Sequence, residues 1–142
     1  MRGGFTFGEL IVVVAILAVL LALAGRRLGP ALDRIATDGA ARDVTTALAV
    51  ARNAAVMQGT RARLRIAADS LRIDREESSG WQPLARWPGP AAVGVALSVS
   101  NDEVMFGPLG LGWGAANTRV VLRRGSQIAT ITTSRLGRVK RQ

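Results

Sequence analysis

Glu9 is the residue whose type and position most require a chemical explanation. The segment Leu10–Ala24 reads LIVVVAILAVLLALA, fifteen residues without a charge, and between Phe5 and Ala24 the only ionisable side chain is Glu9. A carboxylate costs about 2.5–3.5 kcal/mol at the centre of a membrane-spanning helix and less near its end. Its presence therefore points to a task such as neutralising a cation. Phe5 lies four residues earlier, on the same face of a helix. A second group of acids, Asp69, Asp74, Glu76 and Glu77, has the side-chain types of a calcium or acid/base cluster. It is interleaved with Arg72 and Arg75, and reads as solvated charge around one hairpin and loop. A third group is basic. No acid follows Glu103, whereas Arg119, Arg123, Arg124, Arg135, Arg138, Lys140 and Arg141 do. Such a run contacts phosphates without sequence preference, or simply protects an edge strand from aggregation.

The residue inventory removes most catalytic chemistry. The chain has no Cys and no His, which excludes disulfides, Cys/His zinc sites, haem held through His, thiol nucleophiles and His-based triads. A Ser–Lys pair would have to use Lys140, the only lysine. The glycine-rich stretch Gly107–Gly114 lacks the GK[ST] sequence and the following helix of a phosphate loop, and reads as an inter-strand loop. No enzyme activity, cofactor or metal is expected. Trp113 at its tip is either a partner anchor or a cap on the core.

These residues need elements to position them. The chain has 142 residues, a net charge of +9 and only 4% aromatics, so one small domain with an aliphatic core is expected. About 20 apolar residues span a bilayer as a helix, and the segment from Phe5 fits, with Arg26 and Arg27 at its edge. Gly29-Pro30 predicts a kink or short break. A second helical pattern runs from Ala31 to about Gln58 through Leu32, Ile35, Gly39, Val44, Leu48, Ala51 and Ala55, ending at Gly59. Arg34, Asp38 and Arg42 form a solvated charge ladder along it. Strands are predicted at 61–66, 70–74, 92–100, 104–106, 119–123 and 127–133, with Glu76–Gly80 a polar loop. Trp81 and Trp87 flank a Pro-containing segment, and Pro88 and Pro90 argue against a central strand there.

The amino terminus admits a secretory signal peptide with Ala22-Leu23-Ala24 as its cleavage site, or a plain anchor. Neither gains anything from Glu9. The stretch Gly4-Phe5-Thr6-Phe7-Gly8-Glu9-Leu10 resembles the processing motif of type IV prepilins and type II secretion pseudopilins. The resemblance implies cleavage between Gly4 and Phe5 by a prepilin peptidase and N-methylation of Phe5. It also implies a filament in which the Phe5 amine of one subunit meets the Glu9 carboxylate of its neighbour. Ala51–Gly59, Val104–Gly110 and Gly137-Arg138-Val139-Lys140 resemble the GspH/FimT branch of that superfamily, in some members of which the basic ending is linked to DNA binding.

The expected fold class is therefore α+β and pilin-like: a long amino-terminal helix, half transmembrane and half amphipathic, packed on a small antiparallel β head. The expected division is a leader (1–4), a transmembrane helix (5–25), its periplasmic continuation (26–59) and a β-rich head with a basic tail (60–142). The resemblance implies a minor pseudopilin near the tip of a type II secretion pseudopilus, anchored in the bacterial inner membrane. Its partners would be other pseudopilins or minor pilins and the prepilin peptidase. The alternative is a minor pilin binding DNA through Arg135, Arg138, Lys140 and Arg141.

Overall fold

The structure is a computed structural model that describes residues 6–114 and 117–142, without the side chains of Arg26 and Arg27. Its first element, α1 (Phe7–Gln58), is a single α-helix that carries Pro30 inside it. The break predicted at Gly29-Pro30 does not occur. One proline removes one hydrogen bond, and the strong helix formers on both sides keep the rest. The chain divides into two compact units, Met1–Leu32 and Asp33–Gln142. In the first, the apolar side chains of the helix from Phe7 to Leu23 are all exposed.

In the second unit the rest of α1 buries one stripe: Thr37, Ala40, Ala41, Val44, Ala47, Leu48, Ala51, Ala54 and Ala55. The spacing is the i, i+3/i+4 of a helix face. The predicted stripe is right from Val44 onward and wrong before it, because Ile35 is 69% exposed. At 3.6 residues per turn, Ile35 lies about 180° around the helix from Val44. Alanine, which a hydropathy pattern undervalues, occupies the true face at 40 and 41.

Nine strands follow among the described residues: β1 (Ala62–Ile66), β2 (Ser70–Glu77), β3 (Gly80–Pro88), β4 (Ala96–Val99), β5 (Glu103–Phe106), β6 (Gly112–Trp113), β7 (Thr118–Arg124), β8 (Gln127–Thr133) and β9 (Val139–Arg141). They form two antiparallel sheets, ordered β3-β2-β1-β5-β6 and β4-β7-β8-β9. Alternation puts Ala62, Leu64 and Ile66 of β1 inward, with Leu71, Ile73, Val104, Phe106, Val120, Leu122, Ala129 and Ile131 from the neighbouring strands. These side chains and the alanine stripe make one core.

Three strand expectations change. The predicted loop at Glu76–Gly80 is mostly strand, since β2 runs to Glu77 and β3 begins at Gly80. The prolines act as expected: β3 is an edge strand, and the register slips where Ile73 faces Ala85 and Asp74 faces Pro83. Residues 92–100 are not one strand, because a 3-10 turn at Pro90–Val93 precedes β4. Finally, the glycine-rich loop ends in β6, which pairs with β5.

Replacing the buried Leu48 by Ala should cost about 3 kcal/mol through the cavity it leaves, whereas Ile35→Ala should stay within about 0.5 kcal/mol. Denaturant unfolding of the full chain in neutral micelles measures both; equal losses would refute this burial pattern.

Candidate functional site

The described helix begins with a capping box that the sequence reading missed. The Thr6 amide donates to Glu9 Oε2 at 2.8 Å, the Thr6 hydroxyl donates to the same oxygen at 3.0 Å, and the Glu9 amide donates to Thr6 Oγ1 at 3.3 Å. Thr-x-x-Glu at a helix start was the available signal. The Glu9 carboxylate thus satisfies the Thr6 amide, Thr6 Oγ1 satisfies the Glu9 amide, and Glu9 stands where the positive end of the helix favours an anion. Gly4 and Phe5 lie outside the described residues. By length and composition, α1 contains the one described segment apolar enough to cross a membrane.

The acids of the β2 region do not form a ligand site, and the reading of them as solvated loop charge fails for Asp74. That side chain is fully buried on β2. Arg63 Nε donates to its Oδ2 at 3.0 Å and Arg72 Nε to its Oδ1 at 2.7 Å. The register explains the meeting, since Arg63 of β1 faces Asp74 directly. Arg63 also stacks 4.3 Å from the Trp81 ring centre and reaches Glu103 at 3.4 Å. Glu76 pairs with Arg61, and Glu77 with Arg75. Asp74 and Glu76 are committed to arginines on the outer face of the sheet, whereas Arg75, opposite the inward Ala62, holds Glu77 on the helix side and donates to Gln58 Oε1 at 3.3 Å. No cluster of three metal-ligating side chains occurs among the described residues. Asp69 stands apart, accepting from the Ser70 hydroxyl at 3.3 Å.

The basic ending is a built part of the fold. Val139 and Lys140 face Thr133 and Thr132 of β8, and Arg141 faces Ile131. A tight turn precedes them: Gly137 N–H donates to Ser134 O at 2.8 Å and Ser134 N–H to Arg138 O at 3.0 Å. Gly137 has φ 70°, and a Cβ there would stand 2.5 Å from Gly110 O, so glycine is required for both reasons. Arg52 NH1 donates to Gly137 O at 3.4 Å. Strand alternation then divides the four proposed phosphate ligands. Arg141 turns to α1 and pairs with Asp38, which also takes Arg34 at 3.9 Å. Arg138 and Lys140 border one groove with Thr132 and Leu136. Arg135, Arg138 and Lys140 are exposed, and no ion pair engages them among the described residues. Arg119 joins Lys140 across Thr132, a neighbour that only strand register reveals. Trp113 does not cap the core: it is 54% exposed on the sheet edge, with Arg61 5.4 Å from its ring centre.

Removing Asp74 leaves two arginines without their shared carboxylate. Asp74→Ala should therefore destabilise the protein by about 3 kcal/mol, read as a shifted denaturant midpoint. A loss below about 1 kcal/mol would mean the carboxylate is not what holds Arg63 and Arg72.

Comparison with known proteins places this architecture. Residues 40–137 match the family model for the type II transport protein GspH. The type IV minor pilin FimU of Pseudomonas aeruginosa superposes with a TM-score of 0.64 at 18% identity, covering 75% of this chain and 87% of that one. The minor pseudopilin EpsH of the Vibrio cholerae type 2 secretion system superposes with a TM-score of 0.61 at 13% identity, covering 75% and 95%. No curated protein matches in sequence. The fold is that of a pilin-like subunit, with a long amino-terminal helix and antiparallel sheets. The match to the family model spans most of the second compact unit, from the buried stripe of α1 to the turn before β9, and on it the chain belongs to the GspH family of pilin-like proteins.

Proposed function

We propose that this protein is a minor pseudopilin, a structural subunit at or near the tip of a type II secretion pseudopilus that supports protein export. The observation that carries the reading is the first compact unit: a helix with its apolar side chains exposed all round and Glu9 near its start as its only acid. Such a surface needs lipid or neighbouring stems around it. The proposed location is the inner membrane, single-pass, with the head in the periplasm.

Assembly follows from charge. Cleavage by a prepilin peptidase between Gly4 and Phe5 leaves a cationic amine on Phe5, four residues before the Glu9 carboxylate. In lipid both charges are costly alone and favourable together. Glu9 already gathers donors at the helix start through Thr6. An arriving amine from the next stem replaces or joins these donors and fixes the axial register. Chemistry on a substrate has no place in this scheme; the partners are other pilin-like stems and heads.

The mature protein isolated from membranes should begin at N-methylated Phe5, as intact mass and terminal sequencing would show. Glu9→Gln should still be processed but enter filaments at least tenfold less. A chain beginning at Gly25 would mean signal-peptidase cleavage and would overturn the reading.

A second reading is favoured by Arg135, Arg138 and Lys140, exposed cations that no ion pair engages among the described residues. Here the protein is a minor pilin of a type IV pilus that binds DNA for natural transformation, using these three and Arg141. Binding would weaken steeply with salt, with log K falling by about 0.9 per phosphate contact for each unit of log salt. Changing all four to Ala should abolish it. No affinity of the wild-type chain for duplex DNA at about 50 mM salt would remove this reading.

A further inference from the structure

The second compact unit carries exposed apolar side chains on three segments that meet beside the end of α1 and make a knob. Leu109 is 83% exposed, Leu136 68% and Trp113 54%, with Leu111 and Val56 also exposed. The contacts bring the backbones of these segments together, and a Cβ on Gly137 would stand 2.5 Å from Gly110 O. Gly112 N–H donates to Arg135 O at 2.7 Å and Gly107 N–H to Leu111 O at 2.9 Å. A Cβ on Gly110 would stand 3.1 Å from Val56 Cγ2, and one on Gly107 would stand 3.3 Å from the Trp113 ring. The loop is therefore held against α1 and the turn before β9, and it presents its leucines outward on a fixed base.

The rim is basic. Arg61 covers Trp113, and Arg135 and Arg138 flank Leu136 in sequence and are exposed. An apolar centre with tryptophan and leucine inside an arginine rim has the anatomy of a protein interface, and a contiguous exposed apolar patch marks a contact site. A nucleic acid backbone offers nothing to cover Leu109 and Leu136.

Charge decides between a second copy and a different chain. From residue 33 onward the chain has sixteen Arg and Lys against nine Asp and Glu. Six of those nine acids already hold an arginine: Asp33, Asp38, Asp74, Glu76, Glu77 and Glu103. Two copies meeting at this knob would oppose arginine to arginine. We infer that the knob formed by Leu109, Leu111, Trp113 and Leu136 docks on an acid-rimmed apolar face of a different pilin-like subunit. This rests on the filament reading above.

The test uses the full chain in the cells that produce it. A photo-crosslinking phenylalanine analogue replaces Leu109 or Leu136, with Val93 on the 3-10 turn as the control position. The expected adduct joins this chain to another pilin-like subunit whose head is acidic, at 109 and 136 and not at 93. It should fall at least tenfold when Arg135→Glu and Arg138→Glu are added, in a variant whose melting temperature and cellular level are unchanged. Adducts with a second copy of this chain, with lipid alone, or with no protein would each overturn the inference. So would an adduct insensitive to the arginine changes. The amino terminus is read in the same mass spectra: a start at Phe5 without an adduct sinks the docking surface alone, whereas a start at Gly25 sinks the filament reading with it.

Discussion

Both sheets of the head close on one strip of α1, and the rest of the structure depends on how small that strip is. Ala40, Ala41, Ala47, Ala51, Ala54 and Ala55 are buried with only Val44 and Leu48 between them as larger side chains. Alanine is the strongest helix former and loses no side-chain freedom on burial. It also lets strands lie near the helix axis, so the bulk of the core comes from the sheets: Leu64, Leu71, Ile73, Phe106, Leu122 and Ile131. With Phe106 as the only fully buried aromatic among the described residues, packing rests on branched aliphatic side chains whose rotamers are well defined. A larger residue at Ala41 or Ala51 would push against that packed layer, and overpacking costs about 1–3 kcal/mol.

On the outside of the first sheet, arginine is organised rather than merely abundant. Arg63, Arg65 and Arg72 are fixed by Asp74 and Glu103, and Arg61 by Glu76. Asp74 is the centre because it is buried, and a buried carboxylate must be paired to be tolerated. The arginine stacked on Trp81 extends this lattice towards the sheet edge. Once these partners are taken, little acid remains elsewhere in the head. The cations near β9 that no ion pair engages among the described residues are thus the remainder of a distribution in which most carboxylates lie on the opposite sheet or on α1. The same distribution leaves Arg135 and Arg138 beside the knob at Leu109, whereas Arg61 over Trp113 is paired with Glu76.

The stem poses a different constraint. Its apolar side chains are exposed on every side, and such a surface is suited to lipid or to other stems. Glu9 is compatible with this because Thr6 supplies two donors to its carboxylate at the helix start. The capping box and the proposed intersubunit ion pair use the same oxygen. In the isolated chain the carboxylate is satisfied locally, and in the proposed filament the incoming amine would be a stronger partner. A group that is adequately, but not maximally, satisfied in the monomer suits that proposed exchange.

The sequence by itself determined the helix, the family resemblance, the β character of the head and the absence of Cys and His chemistry. Those follow from composition, from a long apolar run, and from alternation as regular as that of Arg61–Ile66, all of which are local. It also argued against a central strand around Trp87 through Pro88 and Pro90, and the sheet order puts β3 at an edge. Only the tertiary structure decided that Asp74 is buried between two arginines, that Ile35 faces outward, and that the basic ending is strand β9 with Arg141 turned away from Lys140. Likewise only the fold brought Leu136 beside Leu109 and Arg119 into line with Lys140. Each of these depends on which strands pair and in what register, and register joins residues far apart in the chain, beyond the reach of local spacing.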